Sequence, residues 1–496
     1  MKDHHNTGSV INQVDGFSSA TEMLHALRQR QISAVELLEL HLRRIERYNR
    51  RLNAIVIPNY DNARQVAAQA DAARLQGKDE PLLGLPLTIK DCIYAKGLPT
   101  TGGVVERAKA IAEADAPVAA RVRAAGGVIM GKTNVPPYAA DYQSANPLFG
   151  RSNNPWNLAH TPGGSTGGGA AAVAAGLTPL EFGGDFAGSI RVPAAFCGIY
   201  GHKPSETAIP RRGHFPGPNS PNAVTAMAVQ GPLARRAEDL ELAFDVVAGP
   251  DLGEDVAWHL QIPPARHERL ADYRVAILPP IEWLPVDADI IAALGKLATQ
   301  LGRVGASVRE VQPEALGDVR DYYRTYLSIM VAMGTTGRPR AECHEEAEAI
   351  RRRTDAFDAL ARADGLQASA SDYIIWFGRR ESYRAAFQAF FEGWDILLSP
   401  ANVVNAFPHT DAPYDERWLD VNGKVVRYDC QMVYPSLCNL SGYPGTAFPV
   451  GLTQSGLPIG LQAIGPYLED RTPIRFAALV AQEFGGLGRP PGYVEC

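Results

Sequence analysis

The chain has 496 residues, 46% hydrophobic and 21% charged, which excludes a largely disordered protein and leaves ample material for a buried core. Forty-eight Lys plus Arg against 54 Asp plus Glu give a net charge of −6, without the basic footprint of a nucleic-acid binder or of a protein held on acidic membrane. The 47 glycines and 37 prolines fall short of a low-complexity or collagen-like composition.

Residues 1–17 contain no apolar stretch of signal-peptide length, and His4 and His5 read as a solvated tail rather than metal ligands. No apolar run reaches about 18 residues, so no membrane span is expected. Cys92, Cys197, Cys343, Cys430, Cys438 and Cys496 lie far apart with no C-x-x-C pair, which argues against a disulfide scaffold or a cysteine-based zinc site. The expected location is a reducing cytoplasm.

Ser33 to Glu36 is a capping box ahead of Val35, Leu37, Leu38, Leu40, Leu42 and Ile45, an apolar face at helical spacing. A second helix is predicted over about 61–75, so the first 78 residues form a helical segment. Leu83 to Ile89 reads as a short buried strand closed by Lys90 and Asp91. Residues 117–125 form a helix leading into a strand at Val128–Met130. From 143 to 169 the sequence is loop-like, and a small-residue helix follows over Ala170–Ala175. Further strands are predicted at 274–278, 396–399 and 445–450, with a polar surface excursion over 250–270. This alternation predicts α/β architecture, a mixed sheet covered by helices on both faces. Return of the C-terminal strands to the same sheet makes residues 1–496 one large domain. Tyr373, Trp376, Phe377, Tyr383, Phe387, Phe390, Phe391 and Trp394 recur at three- and four-residue spacing. That stripe marks a helix packed on a core, with the lining of a substrate pocket as a second reading.

The chemistry concentrates between residues 160 and 205. As a phosphate loop, Thr161–Gly169 fails, because no Gly-Lys-[Ser/Thr] follows. Gly167-x-Gly169-x-x-Ala172 matches a relaxed dinucleotide fingerprint but lacks the preceding strand. Gly163-x-Ser165-x-Gly167 matches the nucleophile elbow of α/β-hydrolases, again without its strand, since 157–161 is a poor one. Downstream, Ser189 follows small or backbone-exposing residues, where consecutive N–H groups can converge on an oxyanion. A nucleophilic serine needs a base. His202 is the nearest histidine, and a lone histidine there is more often structural; the other polar candidate is Lys90, at the end of a buried strand. At a pKa of about 10.4 only about 0.0004 of a lysine is neutral at pH 7. Burial can lower that pKa by ~3 units, worth ~4 kcal/mol. Asp91 would oppose the shift only if the two side chains met, and strand neighbours point to opposite faces.

Taken in order, Ile32–Leu37, Gly84–Asp91, Lys96–Gly102, Gly131–Asn134, the Gly-Gly-Ser-Thr-Gly-Gly loop, Asp185–Pro193, Phe196–Gly198 and Gly456–Gln462 resemble the amidase signature family of serine hydrolases over most of the chain. The resemblance implies the amidase signature fold, with its signature core over about 82–205. It implies a Ser–Ser–Lys triad: Ser189 as acylated nucleophile, Ser165 as proton relay after a cis peptide bond, and Lys90 as base. The backbone N–H groups of Phe186, Ala187, Gly188 and Ser189 would form the oxyanion hole, and Ala139 and Gly164 would contribute to substrate binding. Asp185 and Arg191 would brace the turn. This sequence departs from the family pattern at Thr166, which replaces a serine, at Phe186-Ala187, and at Gly184, which replaces a hydroxyl residue.

The implied activity is hydrolysis of a small-molecule carboxylic amide through an acyl-serine, releasing ammonia or an amine, with no cofactor or metal. The aromatics in 373–394 and Phe186 lean toward an apolar or aryl acyl group. The alternatives are a Ser–His esterase using Ser165, a catalytically dead binding protein and a glutamine-dependent amidotransferase subunit. A homodimer is the default expectation for a cytoplasmic enzyme.

Overall fold

Two serine caps start the fold. Helices α1 (Ala20–Arg28) and α2 (Ala34–Leu52) each open on a reciprocal capping box, Ser19 with Glu22 and Ser33 with Glu36. The computed structural model describes residues 14–217, 226–311, 317–352 and 358–494. His4, His5, Cys496 and most of the N-terminal tail lie outside them. The inner face of α2 buries Leu37, Leu38, Leu42 and Ile45 as its periodicity predicts, and Arg44 turns inward to donate to the carbonyls of Ala175 and Gly176, both at 2.9 Å. Helix α3 (Tyr60–Leu75) buries only Ala63, Ala67 and Ala70.

Fifteen strands are described: β1 (Ile55–Pro58), β2 (Pro86–Lys90), β3 (Val128–Thr133), β4 (Ala145–Asn146), β5 (Gly150–Arg151), β6 (Leu180–Asp185), β7 (Tyr200–Lys203) and β8 (Val229–Ala234) in the first half. The second half supplies β9 (Arg274–Ile277), β10 (Ser307–Glu310), β11 (Ile396–Pro400), β12 (Trp418–Val421), β13 (Lys424–Arg427), β14 (Gly445–Leu452) and β15 (Pro458–Ile464). Eleven of them form one mixed sheet in the order β1-β3-β2-β6-β8-β7-β14-β15-β11-β9-β10. β2 runs parallel to both β3 and β6, and β6 is antiparallel to β8. The halves of the chain join where β14 pairs antiparallel with β7, Thr446 opposite His202. The C-terminal strands thus return to the first sheet, and the chain is one α/β domain.

Every residue of β2, β3, β6, β8, β11 and β15 is buried. Because successive side chains point to opposite faces, both faces of the central sheet are covered. Helices α4 (Pro117–Ala124), α5 (Gly167–Ala174), α6 (Arg191–Cys197), α7 (Ala237–Val247), α8 (Ala288–Arg303) and α14 (Arg471–Phe484) pack on it. A layer of α9 (Val319–Gly334), α10 (Arg340–Arg351), α11 (Ala359–Leu366), α12 (Ala370–Gly393) and α13 (Val433–Ser441) completes the body.

Several expectations shift. The buried strand expected over 83–89 runs from Pro86 to Lys90, after a turn at 81–84. The small-residue helix begins at Gly167, not Ala170. Added β-carbons at Gly168 and Gly169 would lie 2.5 Å from the Asn134 backbone and from Glu181, so these glycines allow close helix–strand packing. Strand β6, which delivers the turn before Ser189, escaped the sequence reading because Gly183 and Gly184 dilute its apolar pattern. The aromatic stripe of α12 is core packing at its C-terminal half: Phe387, Phe390 and Phe391 are buried, and Phe391 stacks on Tyr443 at 5.6 Å. The five described cysteines are all free thiols.

Candidate active site

Lys90 is the last residue of β2, at the carboxyl end of a buried strand. Its Nζ donates to Ser165 Oγ at 2.7 Å and to the Gly184 carbonyl at 3.4 Å. Burial is the largest influence on its pKa and lowers it; Arg211 acts in the same direction, while Cys92, Asp185 and Glu181 oppose. Two of those three opponents carry little charge at neutral pH. Burial pushes the Cys92 thiol up to about 11 and the Glu181 carboxyl up to about 8. Asp91 does not meet Lys90. It pairs with the buried Lys132 at 3.1 Å and accepts from Thr101.

Ser165 follows a cis peptide bond from Gly164, in a loop held from outside. Ser144 Oγ lies 3.1 Å from the Gly163 carbonyl and 3.3 Å from that of Ser165, and it accepts from the Gly167 N–H at 3.0 Å. A β-carbon at Gly164 would sit 2.2 Å from the Asp141 carbonyl, so only glycine lets the loop pass.

The turn 186–190 between β6 and α6 carries Ser189. Asp185 Oδ1 accepts from the Gly188 N–H at 2.9 Å, and Oδ2 from the Ile190 N–H at 3.1 Å. Arg191 binds the same carboxylate through Nε and Nη2, at 3.0 and 2.9 Å. Arg191 and its neighbours hold the Asp185 carboxyl well below the usual carboxylate range despite full burial. The turn's carbonyls are tied outward: Tyr326 Oη donates to Phe186 at 2.8 Å, Tyr142 Oη to Ala187 at 2.6 Å, and the Thr166 N–H to Ser189 at 3.1 Å. Within one peptide the C=O and the next residue's N–H point in opposite directions, so the hold of Tyr326 on the Phe186 carbonyl turns the Ala187 N–H the other way; the N–H groups of Phe186, Ala187 and Ser189 have no acceptor among the described residues.

The four expected backbone donors differ in this structure. The Gly188 N–H is engaged by Asp185, so three of the four expected backbone donors remain. Ser189 is 9% exposed, whereas Ser165 and Lys90 are each 1% exposed, so anything approaching from solvent meets Ser189 first. Gly164 adjoins the loop serine. Ala139, with φ +57 in the short turn Pro137–Ala139, makes no hydrogen bond to these residues among those described.

His202 is no partner for either serine. Its Nδ1 lies 2.9 Å from Thr446 Oγ1 and its Nε2 3.1 Å from Asp470 Oδ1, all fully buried. Among the described residues no histidine hydrogen-bonds Ser165 or Ser189, which removes the support for a Ser–His reading. Tyr142, Ser144 and Tyr326 were missed by sequence reasoning. Tyr326 stands 140 positions from the carbonyl it holds, with no local signal to announce it.

The structure thus sets a buried lysine at the end of β2 on a loop serine, and a second serine in a turn after β6 whose N–H groups are in part unengaged among the described residues. A family model described as Amidase matches residues 36–473, and the chain belongs to the amidase signature family. It is an amidase, a hydrolase acting on amides. It is 32% identical over 458 residues to indoleacetamide hydrolase of Bradyrhizobium diazoefficiens, covering 91% of this chain and 84% of that one. It is 33% identical over 468 residues to a glutamyl-tRNA(Gln) amidotransferase subunit of Synechococcus sp., covering 90% and 92%. The crystal structure of a bacterial aryl acylamidase superposes with a TM-score of 0.77 at 27% identity, over 95% of this chain and 96% of that one. Among the described residues no helix is long and apolar enough to cross a membrane.

Proposed function

We propose that this amidase cleaves a small-molecule carboxylic amide through an acyl-enzyme on Ser189, with Ser165 as proton relay and Lys90 as base. The single observation that carries the reading is the 2.7 Å hydrogen bond between a fully buried Lys90 and Ser165 Oγ. A lysine kept partly neutral by burial can accept a proton, which a solvated one cannot do at neutral pH.

In the first half-reaction Ser189 Oγ attacks the amide carbon, and its proton passes to Ser165 as Ser165 gives its own to Lys90 Nζ. The carbonyl oxygen becomes an oxyanion stabilised by the N–H groups of Phe186, Ala187 and Ser189. The C–N bond then breaks while the proton returns from Lys90 through Ser165 to the leaving nitrogen, which departs as ammonia or an amine. In the second half-reaction water attacks the ester and loses a proton to the same relay. The C–O bond to Ser189 breaks, Ser189 regains the proton, and the carboxylic acid leaves.

The half-buried Phe186 in the turn that carries Ser189 supports an apolar or aryl acyl group. The names of the indoleacetamide hydrolase and aryl acylamidase relatives point the same way. A second reading, ammonia release from glutamine for a partner enzyme, is favoured by the 33% identity to the Synechococcus amidotransferase protein.

The test is mass-spectrometric mapping of a fluorophosphonate label, followed by a screen of aryl amides and glutamine. A single adduct on Ser189, lost in Lys90→Ala, is the expected result. An adduct on Ser165 would overturn the assignment, and turnover of glutamine alone would favour the second reading.

A further inference from the structure

Beside the Lys90 site lies a histidine that the proposed reaction does not use. His214 belongs to the segment 211–217, which runs along 92–94 through hydrogen bonds from Phe215 N to Cys92 O and from Tyr94 N to Gly213 O, both 2.8 Å. The residue is 5% exposed, and neither ring nitrogen makes a well-formed hydrogen bond to a described residue; its own backbone and that of Pro216 act on the ring only weakly. Such groups are rare in folded proteins and call for an explanation.

The position of the ring supplies one. A β-carbon at Gly184 would lie 2.5 Å from His214 Nε2, so the imidazole fills the volume into which any side chain at 184 would project. Gly184 is the residue whose carbonyl accepts from Lys90 Nζ at 3.4 Å and from Thr166 Oγ1 at 3.5 Å. Gln230 sits directly opposite Gly184 on β8, and its Oε1 is also buried without a partner among the described residues. A glycine on β6 is thus covered by an imidazole and flanked by a carboxamide, with unused polar capacity next to the lysine's anchor.

We infer that His214 is a positioning residue for Lys90: it occupies the space that glycine at 184 leaves open and holds the Gly184 carbonyl against the lysine amine. The inference rests on Lys90 being the base proposed above. The titratable groups facing Lys90 are Asp185, Glu181, Cys92 and Arg211, of which Glu181 and Cys92 are largely neutral, and those facing His214 are Arg211 and Lys90 itself. Burial, Arg211 and Lys90 together hold the His214 pKa well below its ordinary value. The ring therefore offers polar contacts to the lysine site without adding a second cation there.

The experiment follows fluorophosphonate labelling of Ser189 across pH about 5.5 to 9.5, separating the limiting rate from reagent affinity, with folding checked by circular dichroism. His214→Phe should lower the limiting rate about tenfold or more and move the acid limb of the profile, with reagent affinity within about threefold. His214→Gln, which keeps polar atoms in the space, should stay within about threefold of wild type. Gly184→Ser, which drives a side chain into the ring, should also lose about tenfold, and adding His214→Ala should recover at least about fivefold. Where His214→Phe does not fold, His214→Ala carries the same expectation. A His214→Phe or His214→Ala variant with the wild-type rate and profile, or a double variant no faster than Gly184→Ser, overturns the inference. An unlabelled Ser189 in the wild-type protein would instead remove the Lys90 assignment on which it rests.

Discussion

Arg191 closes on both carboxylate oxygens of Asp185 while that carboxylate holds the N–H groups of Gly188 and Ile190, so one buried ion pair shapes the whole turn around Ser189. Asn439, Gln462 and the Pro435 carbonyl are further partners of the guanidinium. The pair is fully buried, and its charges compensate each other. Asp185→Asn leaves the Arg191 charge buried without its counter-ion. Breaking such a pair costs about 3–5 kcal/mol. Urea unfolding should show a loss of that order together with loss of Ser189 labelling; unchanged stability would mean that the turn is held by other contacts.

Ser189→Ala should abolish amide turnover and labelling while leaving the circular dichroism spectrum intact. Lys90→Ala should cost several orders of magnitude in rate, and Lys90→Arg nearly as much, because arginine does not give up its proton. The sign of the pH dependence follows from burial. Lys90 titrates below its usual value, so its neutral, base-competent form grows as pH rises through that lowered pKa. Activity should climb with pH from about 6 to 8. A flat profile there would place the base elsewhere.

Tyr326 holds the Phe186 carbonyl outward, which aims the Ala187 N–H of the same peptide, and Tyr142 holds the Ala187 carbonyl, whose peptide N–H is bound by Asp185, so both tyrosines fix the shape of the turn. A neutral hydrogen bond of this kind contributes about 0.5–1.5 kcal/mol, equivalent to about 2- to 12-fold. Tyr142→Phe and Tyr326→Phe should each lower kcat within that range with little change in KM, since the oxyanion forms only during reaction. A rise in KM at constant kcat would assign both tyrosines to substrate binding instead.

Glu181 lies buried on β6 beneath α5, with Thr133 Oγ1 donating to its Oε1 at 2.6 Å. Its carboxyl is raised from 4.5 to about 8, so between those values the folded chain holds a proton that the unfolded chain releases. Stability from this group is therefore present at acid pH and is lost as pH rises, by roughly 3 kcal/mol at pH 7. Glu181→Gln keeps the acceptor for Thr133 and removes the titration. Its Tm should change less between pH 5.5 and 8 than that of the wild type, and equal slopes would show that Glu181 titrates normally.

The chemistry-bearing segments were legible from residue type alone. A lysine closing an apolar run, a glycine-rich loop with a serine, and a serine among small residues beside Asp185 and Arg191 are local features, and the structure draws Lys90 and Ser165 into contact. The capping boxes and the apolar face of α2 were equally plain, because a helix writes its partners three and four residues away. Strands β6, β7 and β8 were not. They are short, carry glycine or proline, and owe their extended form to neighbours across the sheet.

The sequence by itself determined which functional groups are available for the proposed reaction, because nucleophile, relay and base each demand a particular residue type. Only the tertiary structure decided which backbone donors remain free, since the Gly188 N–H is taken by Asp185 while distant Tyr326 and nearer Tyr142 fix the carbonyls of the turn. It also decided that Asp91 neutralises Lys132 rather than Lys90, and that His214 fills the space above Gly184. Hydrogen bonds and steric exclusion act over a few ångströms, and positions far apart in the chain reach that range only after the sheet has assembled.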